Sequence, residues 1–330
     1  MNVTDRKIDA LNLELTLEIA AADYAEIERK KLAERRRNAD FKGFRKGMVP
    51  TSMIKRVYGD QCLVEAVNEV ISTGLDKYIT DGNLHILGEP LASESQPEVE
   101  WKDGADFTFI FDIALSPEVN VKVESTDEIP SYNVTVMAKD KADMIASMKK
   151  YYEEKKEEKS DEEIEKEVTA RLKEQYRNEA DWRLNKDIKD YFVKKADLKL
   201  PEEFLKRWLF SANDGKYSKE DIEKEFPAFA EDFKWQMVRG YLMKEYGFKI
   251  TDQDLHEAAE GFVSYQYAMY GLGNVPKELI QDAVVNVLND RKQVERLAEQ
   301  VEDQKVISKI KETVTLKPVK ISASKFRELK

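Results

Sequence analysis

The 330-residue sequence has one cysteine, two histidines and no apolar run long enough to cross a bilayer. Each scarcity removes a class of function. A single thiol, Cys62, forms no internal disulfide, and its apolar neighbours Leu63, Val64 and Val67 mark it as a buried residue suited to a reducing compartment. His85 and His256 are far apart, and with one cysteine they supply too few soft ligands for a structural zinc site. The segment HEAAE, residues 256–260, nearly matches the zinc-protease helix, but Glu260 stands where a second histidine is needed. GLGN, residues 271–274, is a lone Gly-x-Gly ahead of Pro276, away from any strand pattern, and reads as an interhelical turn rather than a phosphate cradle. No catalytic residue, metal site or cofactor is nominated, and the expectation is a binding protein rather than an enzyme. The amino-terminal MNVTDRKIDALNLEL lacks the continuous apolar segment of a secretion signal, so a cytoplasmic protein with no membrane partner is expected.

What is present is charge. Charged residues make up 36% of the chain, against about a quarter in an average globular protein, which suits long exposed helices. The length predicts two or three domains, because single cores stop growing near roughly 250 to 300 residues.

Two regimes of periodicity follow. Over Ala10–Ala20, Leu11, Leu13, Leu15, Leu17 and Ile19 alternate with Asn12, Glu14, Thr16 and Glu18, the period of a half-buried strand. Asp23 with Glu26 suggests a capping box for the helix YAEIERKKLAERRRNA. A short helix through Tyr58 closed by Gly59, a second helix from DQCLVEAV to residue 82, and strands at HILGEPL and ADFTFIFDIAL complete an α+β pattern with an antiparallel sheet over residues 1–115. YNVTVM, residues 132–137, reads as a last strand or an extended connector within a linker and first helical arm at 116–158.

Helical patterns dominate residues 159–330 up to about residue 313. Ser160 and Glu163 form a second capping box, and Ile164, Val168, Leu172, Tyr176, Leu184, Ile188 and Phe192 recur at multiples of four along an arm of roughly 50 Å. Pro201, Thr251 and Pro276 mark further helix starts. The fold class is therefore an α+β domain followed by an extended all-α domain with long arms. Its many aromatics are expected mostly in the core, with the remainder lining an exposed apolar surface. Tyr265, Tyr267, Met269 and Tyr270 are candidates for that surface, because YQYAMYG places apolar groups on more than one helix face.

One segment breaks the acidic background. Residues 29–56 hold eleven cations against Glu34 and Asp40, a net of +9, so the remaining residues carry −20. A block of one sign attracts a polyanion, and a partner bearing nucleic acid is the natural reading. Within it lies FKGFRKGMVP, residues 41–50: Gly43 and Gly47 allow tight turning, Pro50 stiffens the exit, and Phe44 stands beside Arg45 and Lys46. Arg35, Arg36, Arg37 and Lys42 form a supporting basic patch. A phenylalanine among cations has the make-up of an anchor with a charged rim.

GFRKGMVP, residues 43–50, is similar to the signature loop of the trigger factor family of ribosome-associated chaperones. ILGEPL, FTFIFDIAL, EEIEKEVTARLKEQYRNEADWRLNKDIKDYF, LPEEFLKRWL and FKWQMVRGYL extend the resemblance over nearly the whole chain. It implies that Phe44, Arg45 and Lys46, shaped by Gly43, Gly47 and Pro50, dock on a ribosomal protein and rRNA of the large subunit at the tunnel exit. It also implies that the helical domain shields nascent and unfolded polypeptides without ATP, and that the protein can self-associate. Most members insert an FKBP-like prolyl isomerase domain of about a hundred residues; here DKADMIASMKKYYEEKK passes directly into SDEEIEKEV, so isomerase activity is not expected. A ribosome-independent holdase is the alternative.

Overall fold

The computed structural model describes residues 1–156, 158–272 and 275–329; Gly273 and Asn274 of the expected GLGN turn, and Glu157 of the charged run, lie outside them. Two compact units divide the chain: Met1–Glu118 with Lys199–Ala230, and Val119–Leu198 with Glu231–Lys330.

In the first unit, the alternating leucines become β2 (Asn12–Ile19), with Leu13, Leu15, Leu17 and Ile19 buried. It pairs antiparallel with β1 (Asn2–Lys7) on one side and with β4 (Phe107–Ala114) on the other. β1 went unread in the sequence because NVTDRK has no apolar face; it is an exposed edge strand held by main-chain pairing. The strand expected at HILGEPL shrinks to an isolated bridge, Ile86 to Leu115, and to the two-residue β3 (Leu91–Ala92) beside β4. The four-stranded order is β1-β2-β4-β3.

Helix α1 (Ala21–Asn38) begins earlier than the capping pattern suggested. Asp23 is its third residue rather than its cap, and its carboxylate accepts the Ala20 N–H at 2.9 Å. The expected pair of helices after the loop is one helix, α2 (Thr51–Asp81), which runs straight through Gly59. A mid-helix glycine costs about 1 kcal/mol. The buried Cys62, Leu63, Ala66, Val67, Val70 and Ile71 outweigh that cost by packing against the sheet and α1.

The second unit starts with β5 (Glu128–Thr135), α3 (Ala138–Lys155) and α4 (Asp161–Ala196). The Ser160 capping box forms as expected, with Glu163 N–H donating to Ser160 Oγ at 3.3 Å and Ser160 N–H to Glu163 at 3.0 Å. Every predicted stripe residue of α4 is buried. Steps of four overshoot a helical turn by about 40°, so the stripe winds about 280° from Ile164 to Phe192 and cannot serve one neighbour. Its first half packs with Tyr152 of α3, and its second half with the α6 residues Trp235, Val238 and Leu242 and the α9 residues Val306, Ile307 and Ile310.

The remaining helices are α5 (Glu202–Ala212), α6 (Lys219–Glu245), α7 (Asp252–Met269), α8 (Lys277–Asn289) and α9 (Arg291–Thr313). Pro201 and Pro276 are the capping residues just ahead of α5 and α8, and Thr251 caps α7 through Asp254. In the first unit, Arg207 ties α5 to the sheet by donating to Asp112 at 2.7 Å and to the Ala92 carbonyl at 3.0 Å. The helical region also carries strands: β6 (Thr315–Ser322) lies parallel to β5 in full register, and α10 (Ala323–Glu328) follows it.

Candidate functional site

The loop between α1 and α2 is built from two successive turns. Phe44 N–H donates to the Phe41 carbonyl at 3.0 Å, and Met48 N–H to the Arg45 carbonyl at 2.9 Å. In each turn the third residue is glycine with positive φ, +93° at Gly43 and +79° at Gly47, the geometry of a type II turn. Nothing lies within 4 Å of where a Cβ would stand on either glycine, so both are there for backbone conformation rather than for space.

Both ends of the loop are pinned. Phe41 packs edge-on against Tyr58 with ring centroids 6.4 Å apart. Val49 is fully buried with Leu32, Ala39, Ile54 and Cys62. The Pro50 carbonyl then accepts the N–H groups of Met53 and Ile54 and starts α2. Cys62 sits inside this small core, where burial pushes its thiol pKa up and leaves it a packing residue.

The sequence-predicted residues separate into two groups. Phe44 is 40% exposed, and Arg45, Lys46, Lys42, Arg37 and Pro50 are exposed too. None of the cations among them has an ion-pair partner among the described residues. Arg35 and Arg36, expected in the same patch, turn inward. Arg35 donates to Glu65 at 2.8 Å and lies 5.9 Å from the Tyr58 ring centre, and Arg36 donates to the Val49 carbonyl at 2.8 Å. Lys31 likewise pairs with Glu69 at 2.9 Å. The local excess of positive charge is therefore part scaffold, fastening α1 to α2 and to the loop exit, and part display at the tip. Sequence reasoning missed Met48, Met53 and Val57, which are exposed beside the loop; their signal was three large apolar residues flanked by cations.

In the second unit, Tyr265, Met269 and Tyr270 are 66%, 70% and 83% exposed at the carboxyl end of α7. Tyr267 departs from expectation: it is half-buried against Ala259, Val263, Val284 and Leu297, the small core of α7, α8 and α9. Leu272, Leu279 and Val285 add exposed apolar area on the same unit. The aromatics otherwise behave largely as core, with Phe204, Phe226 and Trp235 buried.

Comparison with known proteins gives a consistent result. Residues 1–148 match a family model described as "Bacterial trigger factor protein (TF)", and residues 180–330 match one described as "Probable trigger factor, C-terminal domain". Among the residues between the two matches are the end of α3 and the start of α4. Among curated relatives, trigger factor of Azospirillum brasilense is 29% identical over 119 residues, 36% of this chain and 26% of that protein. Trigger factor of Dinoroseobacter shibae is 32% identical over 132 residues, 38% of this chain and 27% of that protein. That of Francisella tularensis subsp. novicida is 26% identical over 152 residues, 46% and 34% respectively. The aligned stretches thus span about a third or less of these relatives' lengths. A solved structure described as "Promiscuous Substrate Recognition in Folding and Assembly Activities of the Trigger Factor Chaperone" superposes with a TM-score of 0.56 at 13% identity. It covers 94% of this chain and 99% of that one, a likeness of fold.

Proposed function

Because the chain belongs to the trigger factor family, we propose that it is an ATP-independent chaperone that docks beside the ribosomal tunnel exit and shields apolar segments of nascent chains. The observation that carries the reading is the loop. Two glycine-dependent turns, clamped at Phe41 and Val49, hold the side chains of Phe44, Arg45 and Lys46 in solvent, and neither cation has an ion-pair partner among the described residues. A monomer gains nothing from ordering an exposed phenylalanine between unpaired cations, whereas a docking surface needs an apolar anchor with a charged rim. The large subunit offers both protein and rRNA to such a tip, and the unpaired cations favour an anionic partner.

The exposed Tyr265, Met269 and Tyr270 suit the second half of the task. Side chains of this kind bind many apolar sequences weakly, since each contact must offset the cost of ordering a mobile client. Release then needs no nucleotide. The test is co-sedimentation with vacant ribosomes across a salt series, comparing the chain with Phe44→Ala/Arg45→Ala/Lys46→Ala. Salt-sensitive binding that the variant loses is expected; equal binding by both would overturn the reading and leave a ribosome-independent holdase.

A further inference from the structure

The exposed apolar surface beside the loop continues where the loop ends. Phe44, Met48, Met53 and Val57 are 40%, 66%, 38% and 58% exposed within fourteen residues. Met53 and Val57 stand on α2 four residues apart, hence on one side of the helix. Between them Ile54 turns inward and is fully buried. A surface helix ordinarily presents polar groups outward. The rest of α2 obeys that rule: Asp60, Gln61, Asn68, Glu69, Ser72, Thr73, Asp76 and Lys77 are its exposed side chains between residues 60 and 77. The rule fails only in the first two turns, directly after the loop.

Charge around these turns is also divided. Lys55 is engaged by Asp103, while Arg56, between the two apolar positions, is exposed and has no partner among the described residues. Met53 and Val57 thus make an apolar ridge on α2, Met48 stands exposed just ahead of it at the loop exit, and Lys42, Arg45, Lys46 and Arg56 of the same segment have no ion-pair partner among the described residues.

We propose that the docking surface is bipartite: the loop tip supplies the charge-dependent half, and the Met53–Val57 ridge, with Met48 ahead of it, supplies a salt-independent half. The ridge seats in an apolar groove edged with carboxylates on a folded protein. This rests on the reading that the loop is the ribosomal anchor, and it extends that anchor onto the first two turns of α2. Ribosomal RNA presents phosphates that satisfy lysine and arginine but gives little to a methionine and a valine, whereas a protein groove removes them from water. Methionine suits such a contact, since its unbranched side chain adapts to an irregular surface. Continuity with the loop sets the geometry: Pro50 starts α2 immediately after the second turn, and Val49 fixes that junction in the core.

The experiment uses the full chain with Met53→Ser/Val57→Ser, Met53→Leu/Val57→Ile and the loop triple-alanine variant, each titrated against vacant ribosomes at several salt concentrations. The serine pair is expected to bind about tenfold more weakly at every salt concentration with an unchanged salt slope, and the leucine–isoleucine pair to bind as the parent does. Both pairs should melt like the parent, because neither position is buried. Parent-like binding by the serine pair, or a loss confined to low salt, would overturn the bipartite surface. An equal loss on protein-free ribosomal RNA would overturn the protein groove. Parent-like binding by the loop variant would instead overturn the anchoring reading itself.

Discussion

Replacing Gly43 by alanine removes no contact of the loop and adds none, since nothing lies within 4 Å of the new Cβ. It alters only backbone energy. At φ +93° an L side chain is strained by about 1 kcal/mol or slightly more. That strain must surface in one of two measurements. If the clamps at Phe41 and Val49 force the turn to persist, the first unit loses about 1 kcal/mol of stability and docking is unchanged. If the turn opens in the free protein, stability holds and docking weakens about fivefold, because the partner must select the minor conformer. The loop is exposed and each turn has a single turn-closing hydrogen bond, so the second outcome is expected. Gly43→Asn should weaken docking less than alanine, because asparagine tolerates positive φ, and Gly43→Val more. Co-sedimentation and urea unfolding of the same variants measure both quantities. An alanine variant that docks and unfolds like the parent would refute the claim that glycine-dependent turns shape the anchor.

Three further outcomes follow from the electrostatics and the helix caps. Glu28 is 6% exposed with an unpartnered Oε1, and burial first, then the nearby Asp103, raises its pKa. A raised carboxyl pKa means stability is full below the unfolded value and declines as pH rises through the folded one. Glu28→Gln should therefore stabilise the first unit at neutral pH, with the gain shrinking as pH falls through the raised folded value and gone by about pH 4 in urea titrations. Asp254 has the opposite sign: the hydrogen bond from Lys305, followed by those from Thr251, holds its pKa at about 2. Its contribution is full above about pH 4 and lost toward pH 2, so Asp254→Asn should flatten the acid limb of unfolding in that window. Ser160→Ala removes the acceptor for Glu163 N–H and should cost about 1 kcal/mol in the second unit, read by denaturant midpoint.

The elements legible in the sequence were those whose own residues decide them. β2 declared itself by strict alternation, and α4 by a cap and a buried residue nearly every fourth position. The elements that went unread are decided elsewhere in the chain. β1 has no apolar face and exists because β2 offers an edge. β6 carries Pro318 and pairs with a strand on the far side of the helical region, a partnership that no local pattern encodes. Gly59 illustrates the same limit, as its propensity to end a helix was overridden by the core around Cys62. At the loop, residue types announced an exposed turn carrying Phe44, but which cations are displayed was a tertiary fact. Arg35 and Arg36 differ from Arg37 only in what lies opposite them. Tyr267 and Tyr265 differ in the same way, one facing Val263 and Val284, the other facing water.

Phe44 is the proposed point of contact with the ribosome. A photo-crosslinking phenylalanine analogue placed at position 44, irradiated with intact ribosomes, tests it most directly, with the same analogue at the exposed Tyr217 of the first unit as reference. Position 44 is expected to give one dominant adduct to a large-subunit protein, competed away by unlabelled chain and absent from position 217. No adduct from position 44, or one that unlabelled chain does not displace, would contradict it.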